Sequence, residues 1–215
     1  MAQTYELIVF DWDGTLIDSI QRIVDCFQLS FGDTGLPEPA PEAIRQLIGL
    51  PLADAFRHLA GQTEAATLTH LAKAYRRFWL SDRFPTSPLF PGVEGMLTQL
   101  QAQGFVLAIA TGKSRVGLDR ELNHHGLHGY FPQTRCAEET RPKPHPEMLH
   151  QLMRHHSMKP ERTLMVGDTT MDLDMARQAG VDAVAVSSGS HPAEQLRTSK
   201  PLEILSTVTC LLDVL

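Results

Sequence analysis

VFDWDGTLIDS, Val9 to Ser19, runs out of an apolar segment into two acids, Asp11 and Asp13, with Gly14 and Thr15 directly behind them. A strand that only opens a sheet has no use for two carboxylates at its exit. Close carboxylates repel unless a cation neutralises them, and an all-oxygen ligand set suits Mg²⁺. A carboxylate is also a competent nucleophile toward phosphorus, giving an aspartyl-phosphate. Phosphoryl transfer needs an in-line nucleophile, charge neutralisation and an acid for the departing oxygen. One Asp as nucleophile and a second two residues on as acid/base supply the first and third.

Moving outward from this stretch, four further short apolar runs follow: FVLAIA (105–110), the weaker QTRC (133–136), TLMV (163–166) and AVAV (183–186). Helical patterns lie between them at Gly92–Gln103, Ser114–His125, Pro146–Ser157 and Thr170–Ala179. Strands alternating with helices predict an α/β fold with a Rossmann-like parallel sheet covered on both faces. From about Asp18 to Pro85 this rhythm stops. Ile20, Ile23, Val24, Phe27 and Phe31 recur at helical spacing, with Asp18 or Ser19 as the N-cap. PEAIRQLI, PLADAFRHLA and TEAATLTHLAKAYRRFWL continue in helical style, and a proline-rich stretch closes the interval. The expected organisation is a core of residues 1–17 and 86–215 carrying an inserted all-helical cap of residues 18–85.

In an open parallel sheet, ligands sit beyond the carboxyl ends of the strands. Asp11 and Asp13 stand at one such exit, Thr111 in IATGKS at a second, and Asp168 in VGDTTMDLD at a third, with Asp172 one helical turn on. Each has a plainer reading. Asp168 suits a helix cap, Lys143 an exposed surface lysine, and Thr111 with Gly112 a turn before a capping serine. DWDGT opens like a calcium loop, but its glycine comes too early. These plainer readings are less favoured together than singly: three strand exits converge on one crevice, and clustered carboxylates there suit a divalent metal that shares the site with a reacting anion.

The chain has 215 residues, a formal net charge of −6 and 42% hydrophobic residues. That is an ordinary globular balance and argues against a basic nucleic-acid-binding face. Cys26, Cys136 and Cys210 lie far apart with no CxxC, as reduced thiols do. MAQTYELIVF lacks the basic start of a signal peptide, and no apolar run approaches the ~18 residues of a membrane span. The expectation is a cytoplasmic protein with a small phosphorylated partner, bound to neither nucleic acid nor membrane. Its oligomeric state is not fixed by the sequence. His145, His150, His155 and His156 are not a metal tract, because steps of five turn ~140° around a helix. Arg45 and Arg57, beside the turn IGLPLADAF, fit a solvated helix face.

The four motifs together resemble those of the haloacid dehalogenase (HAD) superfamily, in its order: DWDGT, AIATG, RPKPHPEML and VGDTTMDLDMARQAG. The resemblance implies Asp11 as nucleophile and metal ligand. It implies Asp13 as acid/base, with its backbone carbonyl on the metal. Thr111 and the Gly112 amide would hold phosphoryl oxygens, and Lys143 would pair with nucleophile and phosphate. Asp168 would bind Mg²⁺, and Asp172 would position the metal or its waters. Lys113, Leu50 and Leu52 are further candidates for contact with substrate, the leucines from the cap turn. The likeness is to phosphoglycolate-phosphatase-like members, and 2-phosphoglycolate is the first candidate substrate. Asp13 departs from the dehalogenases, which lack an acid there. The cap lysine of phosphonoacetaldehyde hydrolases is missing, and Ile23 stands where β-phosphoglucomutases carry a cap histidine. A phosphosugar mutase, a pyrophosphatase of the same fold and a non-catalytic binding protein are the alternatives.

Overall fold

The computed structural model describes residues 5–81 and 83–215. Six parallel strands form one sheet: β1 Leu7–Phe10, β2 Val106–Ala110, β3 Gln133–Arg135, β4 Thr163–Gly167, β5 Asp182–Val186 and β6 Glu203–Leu205. Their order is β3-β2-β1-β4-β5-β6. The chain builds outward from β1 to β3 on one side, then returns to lay β4 against the other side of β1. The order therefore reverses beside β1, which is where open α/β sheets hold ligands. β6 has no counterpart among the expected strands. It is a short edge strand with one buried residue, Leu205, and no helical pattern of the kind that follows the other strands sets it apart in the sequence.

Alternation along β1 divides the core. Ile8 and Phe10 point to one face, where they meet helices α5 (Val93–Ala102) and α6 (Arg115–His125) through Met96, Leu97, Leu100, Leu118 and Leu122. Leu7 and Val9 point to the other, toward α7 (Glu147–His156) and α8 (Thr170–Ala179) through Leu149, Leu152, Leu173 and Ala176. Side chains that alternate with period two on a sheet buried on both sides give this near-continuous apolar strand. All four residues of β1 are fully buried.

Residues 20–79 contain four helices and no strand: α1 Ile20–Thr34, α2 Pro41–Arg45, α3 Leu52–Ala60 and α4 Ala65–Trp79. They share a separate core around Phe27, Phe31, Ile44, Phe56 and Leu71. Aromatic rings fill it, with Phe27 centred 4.8 Å from Phe56 and 5.1 Å from Tyr75. The two connections to the sheet run side by side: Asp18 N donates to Pro88 O at 2.9 Å and Phe90 N to Leu16 O at 3.0 Å.

Two local expectations differ. Ser19 stands at the N-cap of α1 but makes no capping bond; its hydroxyl donates to Asp13 Oδ1 at 2.7 Å instead. The helix expected over PEAIRQLI ends at Arg45. Beyond it the chain turns through Gly49, whose φ of 102° a side-chain-bearing residue rarely adopts, and so delivers residues 47–50 to the sheet's carboxyl edge.

Candidate active site

The register of β1 assembles the site. Phe10 lies opposite Ile109 on β2 and Val166 on β4. Asp11, Thr111 and Asp168 therefore leave the sheet at nearly one level. Asp11 N still donates to Val166 O at 2.9 Å, so the ladder holds Asp11 one residue past the strand. Gly14 (φ 84°) turns the chain away immediately afterwards. A Cβ there would overlap the Asp168 carboxylate.

Asp11, Asp168 and Asp172 are all buried, each offering a carboxylate oxygen within 4.8 Å of the others. Among the described residues they are the one cluster of this kind, and the His145–His156 stretch forms none. Lys143 enters this cluster fully buried. Its Nζ donates to Asp11 Oδ1 at 2.5 Å and to Asp172 Oδ1 at 2.6 Å. The plain reading of Lys143 as a surface residue is thus set aside. Asp172 Oδ2 accepts from Thr169 N and Oγ1 at 3.1 and 2.6 Å, in the capping box that starts α8. Thr169 is the cap, which frees Asp168 from that duty. Asp168 accepts instead from Thr15 Oγ1 at 3.1 Å and Ser190 N at 2.7 Å.

Three buried acids against one lysine leave an excess of negative charge. Burial pushes Asp11 well above the usual carboxylate range; Lys143 opposes this, and Asp172 and Asp168 add to it. Burial, then Asp172, raises Asp168 to about 6. Burial pulls Lys143 down, but Asp11 and Asp172 outweigh it and hold the ammonium above its ordinary value. The donor set is hard, oxygen-only and short of one or two positive charges, which fits a divalent cation such as Mg²⁺. The holders would be Asp11, Asp168 and Asp172 with the Asp13 carbonyl.

Asp13 belongs to a second cluster. Lys113 Nζ lies 3.0 Å from Asp13 Oδ1 and 3.3 Å from Glu121 Oε1. Trp12 Nε1 donates to Glu121 Oε2 at 2.5 Å. Lys113 also stands 4.5 Å from the centre of the Trp79 ring, and the Arg22 guanidinium 4.1 Å from it, a cation–π arrangement. Lys113, expected to touch substrate, is thus paired with two acids. Glu121 escaped the sequence reading although a signal existed: it lies on the same helical face as Leu118 and Leu122, where an acid needs a buried partner.

Thr111 is buried and its hydroxyl accepts from Lys113 N at 3.1 Å. Ser114 then caps α6 by accepting from Gly117 N, as a turn before a capping serine requires. Above Asp11, Asp13, Thr111, Gly112 and Lys113 opens a cavity of about 620 Å³, roofed by the helical segment. Leu50 and Leu52 both line it. Gly112 admits the roof, since a Cβ there would overlap the Gly49 carbonyl. A reciprocal amide pair, Gln46 with Gln195 at 2.7 and 3.0 Å, ties the same turn to the core. Arg45 bonds Gln21 and Arg57 pairs with Asp54, both at the surface and outside the cavity lining.

A parallel sheet that gathers three acids, a threonine and a lysine at its carboxyl edge is suited to holding a divalent cation and a small anion there. The sequence pattern of haloacid dehalogenase-like hydrolases matches residues 8–186; the chain belongs to that family. It is 39% identical over 94% of its length to "Probable phosphatase IndB" of Dickeya dadantii, covering 89% of that protein. It is 27% identical to a phosphoglycolate phosphatase of Nitrosococcus oceani, covering 97% of this chain and 95% of the other. A haloacid dehalogenase-like family hydrolase from Streptococcus pneumoniae superposes with a TM-score of 0.83, at 26% identity over 99% of each chain. No helix among the described residues is long and apolar enough to cross a membrane.

Proposed function

We propose that this hydrolase is a Mg²⁺-dependent phosphatase that cleaves a small phosphomonoester through an aspartyl-phosphate on Asp11. The observation that carries the reading is the meeting of Asp11, Asp13, Thr111 and Lys113 in one roofed cavity, with Lys143 and two further acids beneath. Asp11 Oδ1 is held by Lys143 and Asp11 lines the cavity, which supports its carboxylate as the group that attacks phosphorus. Asp13 gives a proton to the departing alkoxide and later takes one from the water that cleaves the acyl-phosphate. Thr111 Oγ1, the Gly112 amide and Lys143 hold the phosphoryl oxygens. The cation, when bound, neutralises the phosphate and the acids around it. The Gly49 turn closes the roof and excludes bulk water.

2-Phosphoglycolate is the first compound to test, from the motif resemblance and the names of relatives. Ile23 lines the cavity. An aliphatic side chain there offers no imidazole for a sugar hydroxyl, which supports hydrolysis over return of the phosphoryl group to a sugar. A panel of phosphate esters with Mg²⁺ tests the reading. Turnover that stops with chelator and returns with Mg²⁺ is expected; full turnover in metal-free buffer refutes the metal assignment. Conversion of a sugar 1-phosphate to its 6-phosphate would show a mutase.

A further inference from the structure

We propose that the leaving alcohol of the natural substrate is a bulky, ring-bearing apolar group and not a two-carbon one. The inference rests on the phosphatase reading above. Its first support is size. The cavity holds about 620 Å³, within the ~300–1,000 Å³ of sites that enclose drug-sized molecules. At ~30 Å³ per molecule it has room for about twenty waters. A two-carbon ester would leave most of that volume to water, in a site whose buried charges favour its exclusion.

The second support is the wall. Ile23 and Phe27 come from α1, Leu50 and Leu52 from the turn and α3, and Tyr75 and Trp79 from α4. Tyr75 lies nearly parallel to Trp79, ring centres 5.8 Å apart and planes 11° apart. The hydroxyl of Tyr75 has no hydrogen-bond partner among the described residues, in a cavity that is otherwise mostly apolar. Tyr75 is packed by Trp79, Phe27 and Phe56 and still lines the cavity, so it offers a rigid aromatic wall with one unused polar atom to whatever fills the space.

The third support lies at the mouth. Val116 is 80% exposed and Leu80 is 58% exposed, and both line this same cavity. Val116 sits in the first turn of α6, among Arg115, Asp119 and Arg120, where nothing in the fold calls for an apolar side chain. An occupant that reaches the mouth would cover both residues. A two-carbon alcohol attached to a phosphate on Asp11 would leave the outer wall bare.

The test compares 2-(2-naphthyl)ethyl phosphate with ethyl phosphate and 2-phosphoglycolate under Mg²⁺. The two alkyl esters have leaving alcohols of similar acidity, so their ratio reads binding of the ring and not activation of the bond. We expect kcat/KM for the naphthyl ester to exceed that of ethyl phosphate by about 10–100-fold, as burial of one ring predicts. Val116→Ser, at an exposed position that folding does not need, should lower that ratio several-fold, and Leu52→Ala should do the same. In parallel, 2-(2-naphthyl)ethylphosphonate should bind at least tenfold more tightly than ethylphosphonate by calorimetry. Equal or better turnover of ethyl phosphate or 2-phosphoglycolate overturns the inference and leaves the phosphatase reading standing. If no ester turns over, that reading fails, and the phosphonate pair still decides the cavity's preference: equal affinities overturn it.

Discussion

Lys113 Nζ is shared between Asp13 and Glu121, 3.0 Å from one carboxylate and 3.3 Å from the other, with little of any of the three side chains exposed. Removing one partner of a buried ion pair leaves an uncompensated charge and typically costs ~3–5 kcal/mol. Lys113→Met should therefore lower the unfolding free energy by about 3 kcal/mol. The double variant Lys113→Met/Glu121→Gln should lose less than the sum of the singles, because the second change removes the acid that the first left stranded. Urea unfolding of the four proteins in the cycle checks this; additive losses would mean that the pair is uncoupled.

Asp11→Asn separates chemistry from fold. It removes the nucleophile, and turnover should fall by roughly 10⁴-fold or more. It also removes one of three crowded buried acids while Asp172 still holds Lys143. The metal-free variant should be as stable as the parent or more so. Steady-state rates and thermal melts decide both points. Retained kcat would exclude a covalent intermediate on Asp11.

The acid cluster makes stability depend on pH in a defined direction. The carboxyl of Asp168 is raised from 3.8 to about 6, by burial first, and Asp11 moves the same way. A raised carboxyl binds its proton more tightly when folded. Its stabilisation is therefore complete below pH 3.8 and lost as pH rises through about 6. For Asp168 alone the loss is on the order of 3 kcal/mol. Mg²⁺ should reverse the penalty, so it should raise Tm more at about pH 8 than at about pH 5. Equal shifts at both values would place the cation elsewhere.

Asp13→Asn should keep the metal, because the ligand expected there is a backbone carbonyl. It should lose acid–base help worth roughly 10²–10⁴-fold. The loss should depend on the alcohol. An alkyl phosphate needs a proton on its departing oxygen; an activated aryl phosphate does not. Asp11 should thus still be phosphorylated by an aryl ester, and the phospho-enzyme should persist because no base activates water. Mass spectrometry should find one added phosphoryl group on Asp11. Equal slowing of both ester types with no adduct would assign Asp13 to the metal or the fold.

Much of this architecture was legible in the sequence. Four short apolar runs, the weaker QTRC and the intervening 3.6-residue patterns mark five of the six strands and the helices that cover them. Strand exits are where acids look out of place, so Asp11, Asp13 and Asp168 were visible as anomalies against apolar neighbours. Lys143 was visible only through its motif, because nothing in the composition around it says that it is buried. What stayed hidden depends on distant pairing. Glu121 is 109 residues from Trp12, and Lys113 is 100 residues from Asp13. No local period reports such partners. The role of Ser19 was misread for a local reason: a serine before a helix usually caps it, and here the turn at Gly14 brings a carboxylate six residues earlier to its hydroxyl. The aromatic wall from α4 was readable as helix core, but not as a surface turned toward the acids.

The contact between Gly49 and Gly112 joins the helical roof to the sheet through main chain on both sides. The close approach itself is main chain to main chain, so exchanges at lining residues other than these two glycines leave it unaltered. Closure and choice are thereby decoupled. The roof can seat in one fixed position while Leu50, Leu52, Tyr75 or Val116 drift toward a different cargo, and a lineage built on this frame can change what it accepts without relearning how to shut.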